Sequence, residues 1–144
     1  MRALKLAFLI AGVSLVTAAA TFTAERPLMR STVFEWDRLE AKPNKTGAVR
    51  SVFKEPTVRL DELEMHVTTL NPGEAPHPPH QHADEEMIIV KEGTVESTLS
   101  GVARRAGPGS IIFQASNEMH GLRNVGQTPA TYYVIKWTVP SAAK

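Results

Sequence analysis

The stretch HPPHQHADEEMIIV, residues 77–90, sets three histidines and three carboxylates against an apolar run, in a chain with five histidines in all. If this segment is extended, His80 and His82 point to the same side, because side chains alternate across a strand. Glu86 lies four residues beyond His82 and keeps that parity, just where Met87-Ile88-Ile89-Val90 begins. Two imidazoles and one carboxylate then face one way at the mouth of a β-sheet. The pattern predicts a metal site, against the alternative of a polar surface loop rich in imidazole. A fourth ligand must come from elsewhere, and His66, His77 and His120 are the candidates. His120 opens its own strand-like run just after a loop.

Outward from this stretch the chain reads as short strands divided by turn signals. The strand-like runs are VFEW (33–36), LEMHVTTL (63–70), EMIIV (86–90), TVESTLS (94–100), SIIFQ (110–114), HGLRN (120–124) and TYYVIKWTV (131–139). Between them stand Asn71-Pro72-Gly73, Glu92-Gly93, Ser100-Gly101, Gly107-Pro108-Gly109 and the stretch from Gly126 to Pro129, all turn formers. No segment after residue 24 keeps a helical period over a dozen positions. The expected class is all-β, an antiparallel sandwich or closed barrel and not a parallel α/β fold. Residues 25–58 are less regular and read as an arm with one or two edge strands. Met87, Ile89, Ile112, Phe113, Tyr133, Ile135 and Trp137 are predicted as core. His66 is predicted to face away from the apolar side formed by Leu63, Met65 and Val67.

A length of 144 residues suits one domain. Hydrophobic residues at 42% are enough for a core, and 22% charged residues is ordinary for a globular domain. Sixteen basic against fifteen acidic residues, with no basic run longer than Arg104-Arg105, argue against a nucleic-acid partner. The absence of cysteine excludes disulfides, a thiolate nucleophile and any sulfur-held metal, so nitrogen and oxygen must do the ligation.

The amino terminus reads as an address. Arg2 and Lys5 precede the apolar run LAFLIAGVSLVTA (6–18), and Ala18-Ala19-Ala20 offers small residues for cleavage. The run is shorter than the ~20 residues of a membrane span; an uncleaved anchoring helix is the alternative. Residues 1–20 are expected to be a signal peptide, 21–58 an N-terminal arm with edge strands, and 59–144 a barrel. Removal of Arg2 and Lys5 leaves 14 basic (16 − 2) against 15 acidic residues, a charge of −1. The expected location is periplasmic or secreted, with no stable membrane anchor after cleavage.

Taken together, His80-x-His82-x3-Glu86-x6-Gly93 resembles the first motif of the cupin superfamily. Fifteen residues on, Gly109-x5-Ala115-x-Asn117-x2-His120-x3-Asn124 resembles the second. The resemblance covers roughly residues 60 to 139. Gly73 lies one residue further from His80 than the first motif would place it. Ala115 stands where the second motif has proline, and Asn117 where it has glycine. Asparagine is the non-glycine residue best suited to a left-handed turn, so the last change is mild. The resemblance implies an antiparallel jelly-roll barrel with one divalent metal held by His80, His82, Glu86 and His120. The donor set suits Mn, Fe, Ni, Cu or Zn, and one carboxylate against a divalent ion leaves a site of net positive charge.

The function implied is an exported metal-dependent enzyme acting on a small organic molecule. Largely apolar walls, with no arginine clamp except Arg59 or Arg123, favour oxygenase-type chemistry over an isomerase or lyase. The alternative is a non-catalytic module that binds or senses a small molecule through the metal. Glu85 and His77 are the candidate acid/base groups beside the metal. Gln114, Met87 and Asn124 are candidate pocket residues, although Asn124 reads more naturally as a backbone support. Val33, Phe34 and Trp36 are expected to cover a second subunit in a homodimer, or else to pack on their own barrel.

Overall fold

The computed structural model describes residues 26–140, and the reading of residues 1–20 as a signal peptide falls outside them. The described chain forms strands β1 (Lys42–Asn44), β2 (Gly47–Glu55), β3 (Glu62–Leu70), β4 (Glu85–Glu92), β5 (Val95–Leu99), β6 (Val102–Ala106), β7 (Ile111–Gln114), β8 (His120–Asn124) and β9 (Ala130–Thr138). The only helical element among the described residues is a single 3-10 turn, Trp36–Arg38. Two antiparallel sheets, ordered β1-β2-β3-β9-β4-β7 and β6-β5-β8, face each other as a jelly-roll barrel. The all-β, antiparallel expectation holds.

Strand alternation divides the barrel along its axis. On β4 the inward residues run Val90, Ile88, Glu86; on β9, Ala130, Tyr132, Val134, Lys136; on β3, Leu70, Thr68, His66, Glu64. Each of these neighbouring strands goes from an apolar floor to an ionisable mouth. The floor is a cluster of Leu70, Ile88, Val90, Val95, Ile112, Leu122, Ala130, Tyr132 and Val134. Burying such side chains contributes about 1.5–3 kcal/mol each, so this end carries the stability and leaves the mouth to polar groups.

The predicted core had the wrong parity on two strands. Glu86 faces inward, so Ile88 and Val90 enter the barrel at 3% and 1% exposure, while Met87 and Ile89 lie on the outer face. Tyr133, Ile135 and Trp137 share that outer face, and Phe113 is 48% exposed; Ile112 is buried as expected. The six-stranded sheet is apolar on both sides because the arm covers part of its outside, and alternation alone does not separate two apolar faces. The same parity turns His66 into the cavity, while Val67 is buried on the outside.

VFEW is not a strand. It lies across the sheet, with Phe34 against Phe53 at a ring separation of 5.1 Å and the Trp36 ring approached by Arg50 at 4.9 Å and Lys91 at 4.7 Å. The arm therefore packs on its own barrel. Strands β1, β2 and β6 lie outside the strand-like runs read from the sequence. β1 and β2 extend the large sheet at its β3 side, and β6 pairs with β5 through a Ser100-Gly101 turn.

Candidate metal centre

Two loops distant in sequence are stapled together at the mouth. His80 and His120 exchange both backbone hydrogen bonds, at 2.9 and 2.8 Å, and the Asn117 N–H donates to the His82 carbonyl at 2.7 Å. The Ser116 hydroxyl donates to the Ala83 carbonyl at 2.7 Å. Asn117 takes φ of 59°, the left-handed conformation its residue type tolerates.

This staple gathers the imidazoles. Ligand nitrogens of His80, His82 and His120 all lie within 4.8 Å of one another, and Glu86 Oε2 is 3.7 Å from His82 Nε2. His82 Nδ1 is 3.0 Å from the Asp84 carbonyl and His120 Nδ1 is 2.9 Å from that of Glu118. A carbonyl only accepts, so each Nδ1 carries the proton and each Nε2 keeps its lone pair for the centre. His120 Nε2 and His80 Nδ1 are buried with no hydrogen-bond partner among the described residues. Leaving such nitrogens bare costs about 1–3 kcal/mol each, and a cation removes that cost. Burial pushes the Glu86 carboxyl up, against the pull of His120 and Lys136. Burial also pushes the His80 imidazole down, with positive charge at His77, His120 and His82 adding to it. Neutral imidazoles are the ligating form. The three histidines could hold a metal ion, and Glu86 stands beside them.

The centre opens on a cavity of about 310 Å³, at the small end of the range for ligand sites. The wall that continues from Glu86 across β9 and β3 is polar. His66 Nδ1 is 3.2 Å from Glu64 Oε1, and Glu64 Oε2 is 3.0 Å from Lys54 Nζ and 3.3 Å from Lys136 Nζ. His66 and Lys136 both line the cavity. His66 does face away from Leu63, Met65 and Val67 as expected; sequence reasoning missed this wall because that apolar side was taken as the interior. The usable signal was Glu64-x-His66, two residues of one parity in a strand, matched by an inward lysine near the end of β9. The apolar-wall basis for an oxygenase is absent on this side.

Residues 66–136 match the Cupin_2 family, described as a cupin domain. Solved structures share its fold: KdgF from Halomonas sp. (16% identity, 80% of this chain and 100% of that one, TM-score 0.62); a cupin-superfamily sugar phosphate isomerase from Silicibacter pomeroyi (18%, 76% and 77%, TM-score 0.59); and the polyketide cyclase RemF from Streptomyces resistomycificus (24%, 76% and 80%, TM-score 0.60). No curated protein matches the chain in sequence.

Around the cavity the other sequence-predicted residues separate. Gln114 lines the cavity beside Glu86, its register partner on β7, almost wholly buried, and its Oε1 has no partner among the described residues. His77 stands exposed at the rim, its ring edge against His80 at 4.2 Å between centroids. Glu85 does not face the cavity: it pairs in register with Trp137 on the outer face and accepts the Trp137 indole N–H at 3.0 Å. Met87 shares that outer face. Asn124 is buried beneath the cavity and bonds only backbone. Arg59 and Arg123 are exposed and do not line the cavity.

Proposed function

We propose that the protein is a metal-dependent enzyme acting on a small organic molecule, with His80, His82, Glu86 and His120 holding one divalent Mn, Fe, Ni, Cu or Zn ion. The observation that carries this reading is the convergence of three imidazoles, two of them with an orphaned, buried nitrogen, beside a carboxylate at the mouth of a cavity. The ion would supply polarisation of a substrate oxygen or activation of water or dioxygen. The chain's own residues do the rest. Ile88, Leu122, Tyr132 and Val134 exclude water at the floor, Gln114 offers an unused carboxamide to the ligand, and Lys136 adds positive charge at the mouth.

Elemental analysis is expected to give close to one first-row transition metal per chain. His82→Ala should weaken binding at least ~100-fold and acid should release the metal, because protonated imidazole cannot ligate. Metal content unchanged in His82→Ala would sink the assignment. The proposal extends to export and to a homodimer. Export rests on Arg2, Lys5, the apolar run 6–18 and Ala18-Ala19-Ala20; amino-terminal sequencing of protein from a periplasmic extract should find cleavage near residue 20, and an intact Met1 would count against it.

A further inference from the structure

His66 lies on β3 opposite Ser51 of β2 and Val134 of β9, and lines the same cavity as the metal-centre histidines. It is not among the three histidines whose nitrogens converge. Its Nδ1 is 3.2 Å from Glu64 Oε1. A carboxylate only accepts, so Nδ1 carries the proton and Nε2 keeps a lone pair on the ring edge away from Glu64. Burial pushes the Glu64 carboxyl up, but the Lys54 hydrogen bond and the Lys136 charge outweigh it and hold Glu64 below its usual range. Burial pushes the His66 imidazole down, against the opposing pull of Glu64. The charged groups of this wall are Glu62 and Glu64 on β3, Lys54 on β2, Lys136 on β9 and Asp84 in the loop before β4. A neutral imidazole oriented by an ionised carboxylate is the arrangement of a general base.

We propose that His66, positioned by Glu64, is the proton-accepting catalytic residue of the cavity, and that the substrate is a small carbonyl compound with an acidic C–H bond beside the carbonyl. The inference rests on the metal-centre reading. In the step, the C–H bond breaks, its electron pair moves into the carbonyl group to give an enolate, and the proton forms an N–H bond at His66 Nε2. Return of that proton to the same carbon regenerates the neutral imidazole and gives epimerisation or exchange. Where the substrate carries a hydroxyl on that carbon, the hydroxyl proton passes to the former carbonyl oxygen, the former carbonyl carbon takes the proton from His66, and the carbonyl has moved by one carbon. No oxidant, reductant or co-reactant is consumed, so the chemistry is isomerisation, epimerisation or exchange.

The test follows C–H exchange into D2O by proton NMR, using pyruvate, acetylacetone and dihydroxyacetone as probes with metal-loaded wild type, His66→Gln and Glu64→Gln. Wild type should exchange at least one probe. His66→Gln should slow that exchange ~100-fold and Glu64→Gln ~10-fold, with metal per chain unchanged in both. Nitrogen-15 spectra of the metal-free protein should show His66 protonated at Nδ1, a preference lost in Glu64→Gln. The proposal is overturned by wild-type exchange rates in His66→Gln, by no exchange of any probe in the loaded wild type, by an Nε2–H tautomer, or by metal loss in His66→Gln, which would make His66 a ligand. A wild type that takes up no metal fails the metal-centre reading instead, and the tautomer in the metal-free protein still decides whether His66 is built as a base.

Discussion

Asn124 uses every polar atom of its side chain while fully buried. Its Nδ2 donates to the carbonyls of Leu70 at 3.0 Å and Thr128 at 2.9 Å, and its Oδ1 accepts from the Gly126 N–H at 2.9 Å. Asn124→Ala leaves three backbone groups without partners, each costing about 1–3 kcal/mol. Urea unfolding should show a loss of about 3 kcal/mol with metal content retained; a loss below ~1 kcal/mol would contradict this role. His66 carries a pH dependence of its own. Its folded-state titration lies below the ordinary 6.5, so the unfolded chain takes the proton first as pH falls. Its contribution to stability is fully present above 6.5 and is lost as pH falls from there toward the folded value. Glu64, held below its ordinary 4.5, contributes above 4.5 and loses that contribution as pH falls through its lowered value. As pH falls below 6.5, the melting temperature of metal-free His66→Gln should therefore fall less steeply than that of wild type. The cavity-facing direction of His80, His82 and Glu86 was legible in sequence because parity and spacing within one short segment fix it. His66 was not, because its direction depends on which of two apolar faces is the inside, and only the arm decides that.

Gly93 joins β4 to β5 with φ of +79°, and a Cβ there would stand 2.7 Å from Ala130 Cα and 2.8 Å from the Pro129 carbonyl oxygen. Gly101, in the β5–β6 turn, has φ of +85° but nothing within 4 Å of an added Cβ. The pair separates backbone conformation from crowding. Gly101→Ala should cost only ~1–2 kcal/mol, the penalty for a left-handed residue. Gly93→Ala should cost roughly 1–3 kcal/mol more, as overpacking does, and equal shifts in the denaturant midpoint would refute the distinction. Strands β5, β8 and β9 were visible in sequence as apolar or β-branched runs between turn formers. β6, Val102-Ala103-Arg104-Arg105-Ala106, was not, since its side chains are almost all exposed. Its extended state comes from pairing through Ser100 and Gly101, both at positive φ, which suits the twist of a two-residue hairpin. VFEW misled for the converse reason: its aromatic residues pack across strands instead of joining them.

The arm does not cover the whole outer face of the large sheet. At the edge strand β7, Ile111 is 66% exposed and Phe113 nearly half exposed, with Phe113 stacked on Trp137 at 6.4 Å. Phe34 and Trp36 also keep exposed surface. An open apolar edge is a site for pairing with another chain. Light scattering at micromolar concentration should give twice the chain mass, and Ile111→Lys should shift it toward one; a monomeric wild type would refute the dimer. The sheet order has a consequence in time. β9 occupies the middle of the large sheet, between β3 and β4, and its pairing joins Glu62 to Thr138. The centre of the sheet thus waits for a strand far along the chain, and contacts of such separation must repay a long loop closure before they contribute. The barrel is a slow folder by topology, on the scale of milliseconds to about a second, and its two halves stay unjoined until β9 arrives between them.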